Sequence, residues 1–127
     1  MIQNVKVTLT SATLKTGGGF LVDLLPAPAA GHVFNILALT ANMTYNSAAY
    51  AGGYLQVSQQ NRFWNGGVFS QSDVLTNVHD YSAPFVKITG GQTIYTITDK
   101  LQIRPSGALT VGDSDIDIHI AYEDITL

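Results

Sequence analysis

Three groups of residues in this 127-residue chain carry side chains able to do chemistry. The first is Asp113-x-Asp115-x-Asp117, with Asp124 eleven positions after its first member, a spacing that resembles the oxygen ligands of a calcium loop. That loop needs a Gly at its sixth position for a sharp turn, and here Ile118 stands there inside an alternating apolar pattern. On a strand the three carboxylates line one face at intervals of about 7 Å. The expectation is therefore no metal site but a solvated acidic face, or one paired with Lys100 and Arg104.

The second group is His32, His79 and His119, imidazole being the commonest metal-ligating side chain. They are far apart in sequence and none falls in an H-x-H or H-E-x-x-H spacing, so they read as surface or loop-packing residues, and no cofactor is expected. The missing H-x-H also counts against a metal-dependent enzyme built on a small jelly roll. The third group is the hairpin around Phe63, Trp64, Asn65 and Phe69, with Gln59, Gln60 and Asn61 nearby. Aromatic faces beside amides can stack on a sugar ring and bond its hydroxyls, making this a possible ligand-contacting hairpin of a carbohydrate- or receptor-binding adhesion module. The competing reading folds these aromatics back on the domain or against a neighbouring subunit.

No G-x-S-x-G, P-loop or G-x-G-x-x-G pattern occurs, and Gly17-Gly18-Gly19 lacks the Lys and helix start of a phosphate loop. The chain is expected not to be an enzyme. Six scattered cations and a net charge of −3 give no basic stripe for a phosphate backbone, so nucleic acid is not an expected partner. Zero Cys excludes disulfides and thiolate metal sites. No apolar run approaches the roughly 18 residues of a membrane span, and the N-terminal MIQNVKVTLTS alternates instead of forming a signal peptide. Asn42-Met43-Thr44 matches a glycosylation triplet but lies inside a strand pattern.

The elements that must position these groups show period-2 alternation. With 46% hydrophobic and only 12% charged residues, 127 residues suit one domain with one core, spanning 1–127. Val5, Val7 and Leu9 alternate with Lys6, Thr8 and Thr10; Phe20, Val22 and Leu24 then oppose Asp23, and Pro26 and Pro28 end that strand before Gly31 permits a tight re-entry. In the next strand Val33, Leu37, Leu39, Met43 and Tyr45 are placed on one face, while Phe34, Ile36 and Ala38 make the other apolar too. A strand apolar on both faces must be covered by a second layer or subunit, which makes Phe34, Ile36 and Tyr45 the expected subunit-interface residues.

Leu55 and Val57 point inward from a short strand at 54–58, and Asn65-Gly66 marks a hairpin turn. Residues 70–81 hold the one expected helix, near 72–80, with Ser72 as cap, Asp73 in its first turn and Val74, Leu75 and Val78 on one face. Strands follow at 85–89, 93–104 and 108–111. Asp99 falls on the inward phase of Tyr95, Ile97, Leu101 and Ile103, so a bulge or break is expected there. In the last strand Ile116, Ile118, Ile120 and Tyr122 form a core face opposite Asp115, Asp117, His119 and Ala121. Eight or nine short strands with Gly and Pro turns predict an all-β antiparallel sandwich, jelly-roll-like.

The segment 24–33, LLPAPAAGHV, followed by Asn42-x-x-Tyr45-x-x-x-x-Tyr50-x-Gly52-Gly53, resembles a pattern in small β-rich structural proteins of tailed bacteriophages. The ending at 112–122, GDSDIDIHIAY, is similar to the last strand of such domains, and the likeness covers about half of the chain. Ala29 and His32 stand where that pattern has a Gly and a basic residue. The resemblance implies a virion component, made in the host cytoplasm, that assembles as a homotrimer of jelly rolls. Its partners would be itself and phage capsid or tail proteins, with which it decorates the capsid or forms a head or tail appendage; a cell-surface glycan is the alternative partner.

Overall fold

A computed structural model of the chain describes residues 1–16, 22–51, 53–60, 69–87, 95–106 and 109–127. Among the described residues the strands are β1 (Ile2–Leu9), β2 (Val22–Leu25), β3 (His32–Met43), β4 (Leu55–Gln59), β5 (Phe69–Gln71), β6 (Tyr81–Pro84), β7 (Val86–Lys87), β8 (Tyr95–Ile97), β9 (Leu101–Pro105) and β10 (Ile116–Thr126). Two one-turn helices, α1 (Ser11–Leu14) and α2 (Asp73–Thr76), sit between them. One sheet runs β1-β10-β3-β6 with β8 also on β3, and the other runs β2-β9-β4-β5-β7, every pairing antiparallel.

The pairings are nested: β1 with β10, β2 with β9, β3 with β8, β4 with β5. A long hairpin rolled so that successive rungs fall in alternate sheets gives this order, and it is the jelly roll that the alternating pattern predicts. The core lies between the sheets, where Leu55, Val57, Ile97, Leu101, Ile116 and Ile118 are fully buried. Each of these residues is on the inward phase of its strand, as read from the sequence. The expected break at Asp99 is where the chain leaves β8 in one sheet and enters β9 in the other. Gly31, at φ +81°, makes the re-entry after the Pro26-Ala27-Pro28 corner, with His32 N–H donating to Ala29 O at 2.9 Å.

Four features depart from the sequence reading. First, β3 carries a bulge: Ala121 pairs with Ala38 but Tyr122 pairs with Ile36, leaving Leu37 as the extra residue. The bulge shifts the phase, so Phe34 and Ile36 point inward together with Leu39, Ala41 and Met43, while Val33 and Leu37 are only half-buried. Second, the helix at 72–80 is a single turn. Ser72 makes no side-chain cap; Gln71 Oε1 accepts from Asp73 N (2.7 Å) and Val74 N (3.3 Å) instead, and Val78 is 62% exposed. Residues 81–84 then form β6 on β3.

Third, a second short helix, α1, follows β1, capped by Thr10 and anchored by buried Leu14. Fourth, of the strand expected at 108–111, the described part holds only an isolated bridge between Ala51 and Thr110.

Candidate functional site

Two surfaces gather the chemistry-bearing residues. One is the end of the sandwich where α1, α2 and the segments after β3 and before β10 meet. There Asp113 accepts hydrogen bonds from Asn46 Nδ2 (3.0 Å), Ser47 N (3.0 Å), Ala48 N (2.9 Å) and the Ser47 hydroxyl. These donors, Ser47 first, hold its carboxyl down at about 2. Asp80 Oδ1 accepts from Tyr45 N at 2.9 Å, and Asp115 Oδ1 from Ser11 N at 3.0 Å. Each carboxylate thus supplies the acceptor that a loop N–H lacks outside a strand ladder.

The same loop is locked from inside. Tyr50, 2% exposed, donates its hydroxyl to Ser114 O, and Asn46 N–H donates to Ser114 Oγ at 2.8 Å. Burial, with the nearby charges of Asp115 and Asp113, pushes the Tyr50 phenol up to about 12. Between these anchors Gly112 N–H donates to Thr110 O at 2.9 Å around Val111, whose φ is +73°. This is a γ-turn of the strained hand, costing about 1–3 kcal/mol at a β-branched residue. It leaves the Val111 side chain 68% exposed.

The Asp113 geometry sets a pH dependence. Its folded pKa lies below the ordinary 3.8, so its stabilisation is complete above about pH 4 and is lost as pH falls towards 2. Asp113→Asn should lower the melting temperature at pH 7, and the gap from the parent should close by pH 2. Melting curves at the two pH values check this; an equal gap at both would mean that the charge is not the stabilising element.

The second surface is the outer face of the β1-β10-β3 sheet. Registers place Lys6, His119 and Thr40 in one row, Asn4, Ala121 and Ala38 in the next, then Ile2, Glu123 and Asn35. Because the bulge turns Leu37 and Ala38 to the same side, Leu37 joins this face. The short side chains of Ala38 and Ala121 leave a shallow hollow of about 300 Å³ rimmed by Asn4, Lys6, Thr40 and His119.

The residues singled out from sequence fall out as follows. Phe34 and Ile36, expected at a subunit interface, are 7% and 3% exposed inside the chain's own core, Phe34 packing on Tyr122 with ring centroids 4.8 Å apart. Tyr45 is half-buried against that core, its hydroxyl donating to Ser47 O at 2.8 Å. Phe63, Trp64 and Asn65 lie outside the described residues; Phe69 is buried in β5 opposite Val57. The acidic residues do not share one solvated face: Asp113 and Asp115 hold loops, and Asp117 accepts from Thr8 Oγ1 at 2.6 Å.

Asp124 Oδ1 lies 2.8 Å from His32 Nδ1. Lys100 and Arg104 belong to the opposite sheet, where Lys100 meets Asp23 at 3.6 Å and Arg104 Nε donates to Gln56 at 3.1 Å, so they do not pair with β10. His32, His79 and His119 stand apart, and among the described residues no three metal-ligating side chains converge. From sequence, Leu37 and Ala121 are read only as members of strand faces and Gly112 only as part of the closing motif, and Asp80 is given no role. The only local signal was the run Ile36-Leu37-Ala38-Leu39, whose unbroken apolarity marks the bulge.

No protein-family model matches the sequence, and no curated protein sequence matches it. The fold does match solved structures. A chain of the capsid asymmetric unit of cyanophage Pam1 superposes with a TM-score of 0.60 at 15% identity, over 96% of this chain and 82% of that one. A chain of the acidic stable capsid of Helicobacter pylori bacteriophage KHP30 superposes with a TM-score of 0.60 at 11% identity, over 100% of both chains. At these identities the likeness is one of fold.

Proposed function

We propose that this chain is a non-enzymatic structural protein of a tailed-phage virion, assembling with copies of itself as a trimer to decorate or stabilise the capsid or to form an appendage. The observation that carries the reading is the end-to-end superposition on a chain of a phage capsid, which matches this domain over its whole length. Side-chain usage supports it: Asp80, Asp113 and Asp115 are bonded to loop N–H groups and Asp117 to the Thr8 hydroxyl. Cohesion is the mechanism. Burying apolar surface between subunits stabilises an oligomer by roughly 25 cal/mol per Å², and weak contacts to a repeating shell add through multivalency.

Sedimentation equilibrium of the purified protein is expected to give a multiple of the 13.6 kDa subunit mass that contains the trimer. The protein should also co-sediment with purified phage capsids from which it has been omitted. A monomer at micromolar concentration that leaves capsids bare would overturn the proposal.

A further inference from the structure

The outer face of the β1-β10-β3 sheet carries both a projection and a hollow. Leu37, turned out by the bulge, lies on β3 to one side of the Ala38–Ala121 row. The hollow of about 300 Å³ lies between that row and the Lys6–His119–Thr40 row on the other side. A rotation of 180° about an axis lying along the Ala38–Ala121 row exchanges the two sides. It sets Leu37 of one copy over the space between Ala38 and Thr40 of a second. It also sets Glu123, two residues beyond Ala121, over His119 of the second copy, two residues before it, and Ile2 over the aliphatic stem of Lys6. Alanines meet at the axis, where two backbones come closest.

We infer that this face is a contact surface between two copies of the chain, related by that two-fold axis, with Leu37 of each seated in the hollow of the other. The occupant follows from complementarity: the same face supplies projection and hollow, carboxylate and imidazole, in positions that the axis interchanges. Its size fits too. The five strands of this sheet, eight, eleven, twelve, four and three residues long at about 3.4 Å per residue and about 4.8 Å apart, offer roughly 600 Å². A standard interface takes about 800 Å² from each partner. The inference goes beyond the trimer proposed above and does not require it: a pair alone gives two copies, and pairing of trimers gives six.

Sedimentation equilibrium on the full chain tests both. Two or six copies are expected. Leu37→Asp should raise the dissociation constant of the pair at least ~30-fold, the scale of a truncated interface anchor. Glu123→Lys should weaken it, and adding His119→Glu should restore it, while Ala12→Lys on α1 should leave the mass unchanged. Should Leu37→Asp fail to fold, the charge-reversal series at these surface positions decides. A parent mass of three copies would keep the trimer and overturn this contact; two copies would do the reverse. A monomeric parent whose capsid binding is lost in Leu37→Asp would assign the face to a shell protein and overturn the second copy as its occupant.

Discussion

Ile36→Asp is expected to unfold this chain, not to release an intact subunit from an assembly. Ile36 is 3% exposed and faces the core beside Phe34 and Tyr122. Truncating a buried aliphatic side chain costs about 2–5 kcal/mol through lost transfer free energy and the cavity left behind. A carboxylate placed there adds several kcal/mol more, because the apolar surroundings supply neither donors nor a counter-charge. Together they exceed about 5 kcal/mol, the lower end of the stability of a natural domain. Far-UV circular dichroism and urea titration should show loss of the cooperative transition. A variant that keeps its fold and only changes its mass would place Ile36 outside the core.

The contrast between Ile36 and Leu37 shows how far period-2 reasoning reaches. It holds along the unbroken pairing of β10 with β1: Ile116, Ile118, Ile120 and Tyr122 are all buried, and their register with β1 runs from Leu9 to Gln3 without a slip. It also located the sheet change at Asp99, since a carboxylate on an inward phase cannot continue a buried strand. Between Ile36 and Leu39 it fails, because one inserted residue exchanges the two faces of everything on one side of it. The pattern shows that both faces of this strand are apolar. It does not show which apolar set the bulge assigns to the core, and that assignment moves the candidate contact surface from Phe34 and Ile36 to Leu37 and Ala38.

The looped end was less legible, and for a different reason. Alternation carries information about faces of a sheet, whereas Asp80, Asp113 and Asp115 act on backbone groups 35 to 104 positions away in sequence. Spacing alone made the last two look like members of an acidic stripe. The fold instead delivers an unpaired loop N–H to each one, and the nearest donor decides the role. For the same reason Gln71, buried at 5% exposure, caps α2 from one residue before the Ser72 that local propensity favours.

Gly112→Ala should be the most damaging single-methyl change at the looped end. A Cβ at Gly112 would lie 2.2–2.5 Å from three atoms of the Tyr50 ring, distances that real contacts do not reach. The ring has little room to withdraw. It is 2% exposed, its hydroxyl is bonded to Ser114 O, and its own N–H donates to Leu75 O at 2.9 Å. The loop cannot swing away either, because Asp113 on one side and the Thr110–Ala51 bridge on the other hold it. Overpacking of this kind costs about 1–3 kcal/mol, and the fixed surroundings favour the upper part of that range. A double-mutant cycle isolates the cause: in a Tyr50→Ala background the Gly112→Ala change should cost less than about 0.5 kcal/mol, giving a coupling energy near the top of the range found for residues in contact. Urea denaturation of the four proteins measures it. Equal costs in both backgrounds would mean that Gly112 is required for its backbone conformation and not for the closeness of the Tyr50 ring.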